Sequence, residues 1–169
     1  MGASDMTTRS GIVRPGAAAV LMLAAGFAGC ADTRQEGGTL TPGAGTMASA
    51  PPPFPQDKLL GNWGIASFRD EKDRKRTEAQ ARSQCKLPYT ITRGPTDGIM
   101  MHVADDPQLH ELKLKGAPGG KAYIGFEGPP GDPQDREVIS FTDNLIVMRF
   151  VDPDANSRYG TFVYVRCPT

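Results

Sequence analysis

Through the second two-thirds of the chain, apolar and polar residues alternate with period two in short runs, each closed by a cluster of turn formers. The runs fall at 61–68, 88–93, 98–104, 109–115, 121–126, 137–142, 145–151 and 158–167. In the third, Ile99, Met101 and Val103 alternate with Met100, His102 and Ala104. In the fourth, Leu112 and Leu114 oppose Glu111, Lys113 and Lys115. Between the runs lie TDG, DDP, GAPGG, EGPPGDP, TDN and DPDANS, which read as turns and hairpin loops. Eight short strands with short connections predict an all-β fold, a small eight-stranded antiparallel meander or barrel. On the later strands the expected inward set is Ile139, Phe141, Val147, Val163 and Val165. A barrel of this size is just filled by side chains or holds one small ligand. Medium and large inward residues on short strands favour the filled interior.

One segment breaks the period. Residues 70–84 (DEKDRKRTEAQARSQ) combine good helix formers with an acidic start and contain no Gly or Pro. They predict one inserted surface helix, anchored by Ala79 and Ala81. Its basic residues interleave with Asp70, Glu71, Asp73 and Glu78 at helical pairing distance, which describes a solvated face rather than a binding patch.

The N-terminal part reads as an address. Arg9 and Arg14 give a positively charged start ahead of an uncharged run, 17–29, too short to cross a bilayer and of the right length for a signal-peptide core. The run ends in Phe27-Ala28-Gly29-Cys30, which resembles the lipobox of bacterial lipoproteins, with Phe27 where Leu is usual. The resemblance implies that 1–29 is a signal peptide and that Cys30 receives lipid, because a thioether to diacylglycerol requires a thiol. A plain secretory signal with a coincidental cysteine is the alternative. Under the sorting rule of such lipoproteins, Asp directly after the cysteine retains the protein in the inner membrane. Ala31 in that place implies the periplasmic face of the outer membrane, with Asp32 one position later. Residues 30–57 are rich in Gly, Thr, Ala, Ser and Pro and predict a tether, flexible and then proline-stiffened, ahead of a domain at 58–169.

Charge and cysteines narrow the partners. The whole chain carries 19 basic and 19 acidic residues; without Arg9, Arg14 and Asp5, 17 basic face 18 acidic. A neutral balance argues against nucleic acid. Cys85 and Cys167 are an even pair in an oxidising compartment, most simply a disulfide, closing a loop worth on the order of 4 kcal/mol in the chain-entropy model. Metal ligation and reactive thiols are weaker alternatives, because neither cysteine has a nearby Cys or His at ligand spacing.

No motif adds up to catalysis. Gly116 to Lys121 is one residue short of a phosphate loop, and Ala122 stands where a hydroxyl should hold magnesium. Asp152, Asp154 and Asn156 alternate as in a calcium loop, but the sixth-place Gly is missing and Val163 occupies the twelfth place, so a polar hairpin is expected. His102 reads as a hydrogen-bonded wall residue and His110 as solvated. Ser67 and Ser140 lie on strands without a nucleophile elbow. Asp105-Asp106 falls in a turn. The expectation is a non-enzyme that needs no cofactor and no metal.

Leu60-Gly61-Asn62-Trp63 resembles the G-x-W start shared by lipocalins, related calycin barrels and the small Inh-type bacterial metalloprotease inhibitors. The resemblance implies that Trp63 closes one barrel end beneath the first strand, with Gly61 permitting close approach. The inhibitors use a free N-terminal arm that enters the protease cleft, whereas here the arm leads to Cys30. Three functions follow as expectations. The first is an envelope module that contacts another envelope protein or the wall through loops bearing Asp105, Asp106, Pro129, Asp132, Asp152 and Asp154. The others are an Inh-type protease inhibitor and a carrier of a small apolar ligand.

Overall fold

The computed structural model describes residues 47–168. Eight strands run in chain order around a closed antiparallel barrel. They are β1 (Gly61–Phe68), β2 (Tyr89–Arg93), β3 (Ile99–His102), β4 (Leu109–Ala117), β5 (Lys121–Gly125), β6 (Arg136–Thr142), β7 (Leu145–Phe150) and β8 (Thr161–Arg166). Closure comes from β1, which pairs with β2 through Gly61 to Trp63 and with β8 from Trp63 to Phe68. The weakest seam is β2 to β3, joined only at Thr92↔Met100 and Arg93↔Ile99. There the Tyr89 hydroxyl reaches across and accepts the His102 backbone N–H at 3.0 Å. The proposed signal segment, Cys30 and most of the tether lie outside the described residues.

The interior is a packed apolar cluster of Trp63, Ile91, Ile99, Met101, Leu112, Ile124, Ile146, Met148 and Tyr164, with Leu59 beneath it. Its filled state follows from eight strands bringing this many large side chains to the axis. A second cluster lies outside the wall. The inserted helix α1 (Arg74–Ser83) covers β1 and β8, and Ala81 packs on Phe68, Val163 and Val165. Here the expected facing is corrected: Phe162 and Tyr164 point inward, while Val163 and Val165 point out beneath the helix. Val147, the cross-strand partner of Val163, shares that outer face. A strand covered on both sides is apolar on both, so period two cannot tell inside from outside. Ala79 is also corrected: it is exposed, and Thr77 is the buried partner of Ala81.

On β6 the departure has a different cause. The register shifts between Val138 and Ser140, leaving Ile139 as a bulge residue 44% exposed. One extra residue reverses the facing of everything before it. Val138 and Arg136 therefore face the interior, opposite Met148 and Phe150, whereas Ile139 was expected there.

Two segment boundaries also differ. Asp152 to Ser157, expected as a hairpin, instead starts helix α2 (Pro153–Tyr159), so β8 begins at Thr161 rather than at 158. The Asp152 side chain accepts the Ala155 N–H at 2.8 Å, Pro153 sits in the first turn, and Gly160 leaves the helix at φ 75°. This is the normal start and stop chemistry of a short helix. At the other end, packed structure begins before residue 58. Ala50 N–H donates to Gly116 O at 2.9 Å, and Gln56 Oε1 accepts the Leu114 N–H at 3.2 Å. Phe54 stacks on Phe141 at 3.9 Å. The stretch of β4 that β3 does not cover thus has its free backbone groups met by the incoming chain, which protects an open edge.

Cys85 and Cys167 form a disulfide, Cα–Cα 5.4 Å, that ties the far end of the α1 segment to the end of β8. Gly64 sets how closely the helix approaches, since a Cβ there would lie 1.9 Å from the Ala81 carbonyl oxygen. Replacing Gly64 by Ala should lower stability by about 1–3 kcal/mol through forced displacement of α1. Ala79→Ser should shift it by no more than about 0.5 kcal/mol. Urea midpoints of the two variants check this pair of expectations.

Candidate functional site

The two barrel ends differ in chemistry. At one end, a 3-10 turn (Gln56–Leu59) leads into β1 and closes the floor. Trp63 is fully buried there, and its indole Nε1 donates to Leu59 O at 2.9 Å. The Arg166 guanidinium, from the last strand, lies 4.1 Å above the indole centroid. It donates to Asp143 O at 2.6 Å, Leu60 O at 3.0 Å and Lys58 O at 2.5 Å. One planar cation thus stacks on the plug and satisfies three carbonyls that no strand or helix uses. Gly61, with φ 125°, passes beneath it; a Cβ at that position would stand 2.9 Å from Arg166 Nη1. Arg166 was not singled out from the sequence, although it sits at inward parity with Phe162 and Tyr164.

The opposite end is open and built from loops. A depression of about 360 Å³ lies there, walled by Val103, Phe126 and Phe150 and rimmed by Asp105, Gln134, Asp152, Asp154 and Arg158. Of the six loop residues expected to make contacts, three line this one feature: Asp105 from the β3–β4 loop, and Asp152 and Asp154 from the start of α2. Asp105 adopts φ 60°, which an Asp tolerates. It accepts from Arg158 Nη1 at 2.8 Å and from the Tyr159 hydroxyl at 2.6 Å. Hydrogen bonds from Arg158 and then Tyr159 hold its carboxyl below the ordinary carboxylate range.

Asp106, Pro129 and Asp132 take other places. Asp106 accepts the Gln108 N–H at 2.8 Å and meets His110 Nε2 at 2.8 Å, which keep its carboxyl low in that order of importance. His110 is part-buried and edge-on to Phe126 at 5.6 Å, rather than solvated as expected. Asp132 accepts the Gln134 N–H at 3.2 Å and shapes the β5–β6 loop. Pro129 is exposed in that loop, but its carbonyl accepts from Lys115 Nζ at 2.9 Å. The loop is held from inside: Lys115 also donates to Phe126 O at 3.1 Å and pairs with the fully buried Asp135 at 2.6 Å. Asp135 in turn accepts the N–H groups of Gly131 and Asp132 at 2.9 and 3.1 Å. This buried, fully bonded pair fixes the rim, because removing either partner would strand a charge in the wall.

Beneath the depression the interior turns polar. Tyr89, Tyr164 and His102 approach Arg136, whose Nη2 donates to His102 O at 2.6 Å and whose guanidinium lies 4.6 Å from the Phe150 centroid. The His102 ring meets the Tyr89 hydroxyl at 3.2 Å, which places it in the wall. Ser140 lies near Arg74 Nη2 at 3.5 Å. Among the described residues, no three His, Cys, Asp or Glu side chains gather in a way that could hold a metal. Compared with known proteins, the chain matches no family model, no curated sequence and no solved structure.

Burial pushes the Tyr164 phenol up to about 12, against a smaller opposing pull from Arg136. The folded chain therefore keeps this proton where the unfolded chain, near 10.0, gives it up. The stability that comes from a neutral Tyr164 is complete below pH 10 and is lost as pH rises toward about 12. Urea midpoints should fall through that window, and Tyr164→Phe should make the fall shallower. An equally steep fall in the variant would assign the alkaline transition to other groups.

Proposed function

We propose that this chain is a non-enzymatic, lipid-anchored lipoprotein of the bacterial outer membrane, whose small barrel docks an envelope protein through its open end. The observation that carries the reading is that Asp105, Asp152 and Asp154, from two separate connections, line one depression opposite the Trp63 plug. The rim is preorganised by the Asp105–Arg158 pair and by Lys115–Asp135 beneath the β5–β6 loop. Preorganised loops bind with a smaller ordering cost. Apolar walls under an acidic rim suit a protruding apolar side chain flanked by a basic one. The Phe27-Ala28-Gly29-Cys30 sequence and the tether behind it support the address, with Cys30 as the lipidated residue. The shape of the barrel and the burial of Trp63 behind Gly61 support a likeness to the lipocalin and calycin barrels.

Protease inhibition of the Inh kind needs a free arm. The described part of the arm is instead bound along β4 at Ala50 and Gln56, which favours docking through the loops.

A photo-crosslinking residue at Gln134 in the full chain should give a discrete adduct with an envelope protein, and one at Lys75 on α1 should not. Asp154→Lys should reduce the Gln134 adduct severalfold. Equal adducts from both positions, or an adduct indifferent to Asp154→Lys, would remove the docking reading.

A further inference from the structure

The mixed charges of α1 pair off only at its start. Arg74 meets Glu71 and Glu78, Arg76 meets Asp73, and Lys72 meets Asp70. After Glu78 the next carboxylate in the chain is Asp97. Lys75, Arg82 and Lys86 are exposed, and none of them pairs with an acid among the described residues. Lys75, Ala79 and Arg82 share one face at helical spacing, and Lys86 continues the stripe into the 3-10 turn Gln84–Lys86. That face lies away from Thr77 and Ala81, the residues by which the helix is buried against the barrel.

Directly after the stripe stands Leu87, 87% exposed, against 48% for Leu109 and 44% for Ile139. Its backbone is tied down on both sides. The Leu87 N–H donates to Gln84 O at 2.9 Å, Cys85 is bonded to Cys167, and Pro88 follows. A large apolar side chain is thus held out in water beside three cations with no acid near them in sequence. The helix dipole accounts for cations in the last turn of α1 but not for Lys75, which sits in the first turn where a positive charge is unfavourable. It accounts for Leu87 even less. Cations whose long stems flank an exposed leucine match the boundary between lipid headgroups and acyl chains, where ammonium and guanidinium groups reach phosphates while apolar groups sink below them. A soluble polyanion would neutralise the stripe and leave Leu87 in water.

We propose that the outer face of α1 and the following turn, Lys75, Arg82, Lys86 and Leu87, rest on a bilayer carrying anionic lipid. The three cations bind its headgroups and Leu87 inserts at the acyl boundary. The contact fixes which side of the barrel meets the membrane. Leu87 leads into Tyr89, the register partner of the plug Trp63, so the acidic rim at the opposite end stays clear of the anionic surface. The stretch from Cys30 to Met47, at up to about 3.3–3.6 Å per residue, is long enough to let any side of the barrel turn to the membrane. The surface itself needs no lipid on Cys30 and no docking partner.

The test sediments the full chain, carrying Cys30→Ser so that no lipid is attached, with vesicles of phosphatidylglycerol and phosphatidylethanolamine or of phosphatidylcholine alone. The apolar run at 17–29 contributes to both arms, so the ratio between them is read. The chain should favour the anionic vesicles at least tenfold, and the preference should vanish near 1 M salt, where the screening length is about 3 Å. Lys75→Gln, Arg82→Gln and Lys86→Gln should each lower anionic binding about fivefold. Lys121→Gln, exposed on β5 across the barrel, should not change it. In Leu87→Trp the introduced indole should be quenched by brominated acyl chains, while Trp63, fully buried, stays silent. All these positions are exposed, and far-ultraviolet dichroism confirms the fold of each variant. Equal binding to the two vesicles, binding indifferent to the three substitutions, or an unquenched indole at 87 would overturn the proposal. Soluble polyglutamate bound as tightly as the anionic vesicles would overturn it too. Lipidation of Cys30 is read separately, from the mass of the unsubstituted chain, and its failure leaves this surface as it is.

Discussion

Arg166 over Trp63 is the contact on which the rest of this molecule depends. It joins the last strand to the first at the point where the barrel closes, and it does so with one side chain that stacks and donates at once. The carbonyls of Lys58, Leu60 and Asp143 come from the 3-10 turn below β1 and from the β6–β7 turn. The bonds to Lys58 and Asp143 lie at the exposed edge of the floor and the one to Leu60 is half-buried, so what they contribute is mainly the fixed orientation of the guanidinium over the indole. The disulfide acts on the same join from outside, because Cys167 directly follows Arg166 and is bonded to Cys85. Chain ends that would otherwise fray are held by a plug, a cation and a covalent bridge within a few residues.

Closing one end firmly lets the other be specialised. At the open end the charges are fixed by named partners: the buried Lys115–Asp135 pair inside the β5–β6 loop and the exposed Asp105–Arg158 pair between the β3–β4 loop and α2. Both contribute shape more than net stability, since the buried pair offsets its own desolvation at best and the exposed one is screened by solvent. Against that background Arg136 stands apart, a buried arginine stacked on Phe150 with no carboxylate paired to it among the described residues.

Much of the architecture was legible as period-two runs, because strand existence depends on alternation and turn chemistry, both local. The helix at 74–83 and the pairing of Cys85 with Cys167 were legible for similar reasons: a run of helix formers, and an even count of cysteines. What escaped depends on tertiary context. Val163 and Val165 were placed inside because the strand is apolar on both faces and the covering helix is polar in its own sequence. Arg136 was hidden by the bulge at Ile139, which reverses facing in a way no local pattern announces. Helix α2 carried its signals openly, Asp152 then Pro153 with Gly160 at the end, yet the same residue types also make turns. Of the open-end site, the acidic loop positions were visible but their convergence was not, since it follows from strand order around the barrel.

The most direct test of the central contact is hydrogen exchange at the Trp63 indole Nε1–H in the full chain, compared with Arg166→Met. The account predicts that this proton exchanges as slowly as the slowest backbone amides of β1 and β8, and that the variant speeds it by at least tenfold while the barrel remains folded. Fast exchange in the unmodified chain, or exchange indifferent to Arg166, would contradict it.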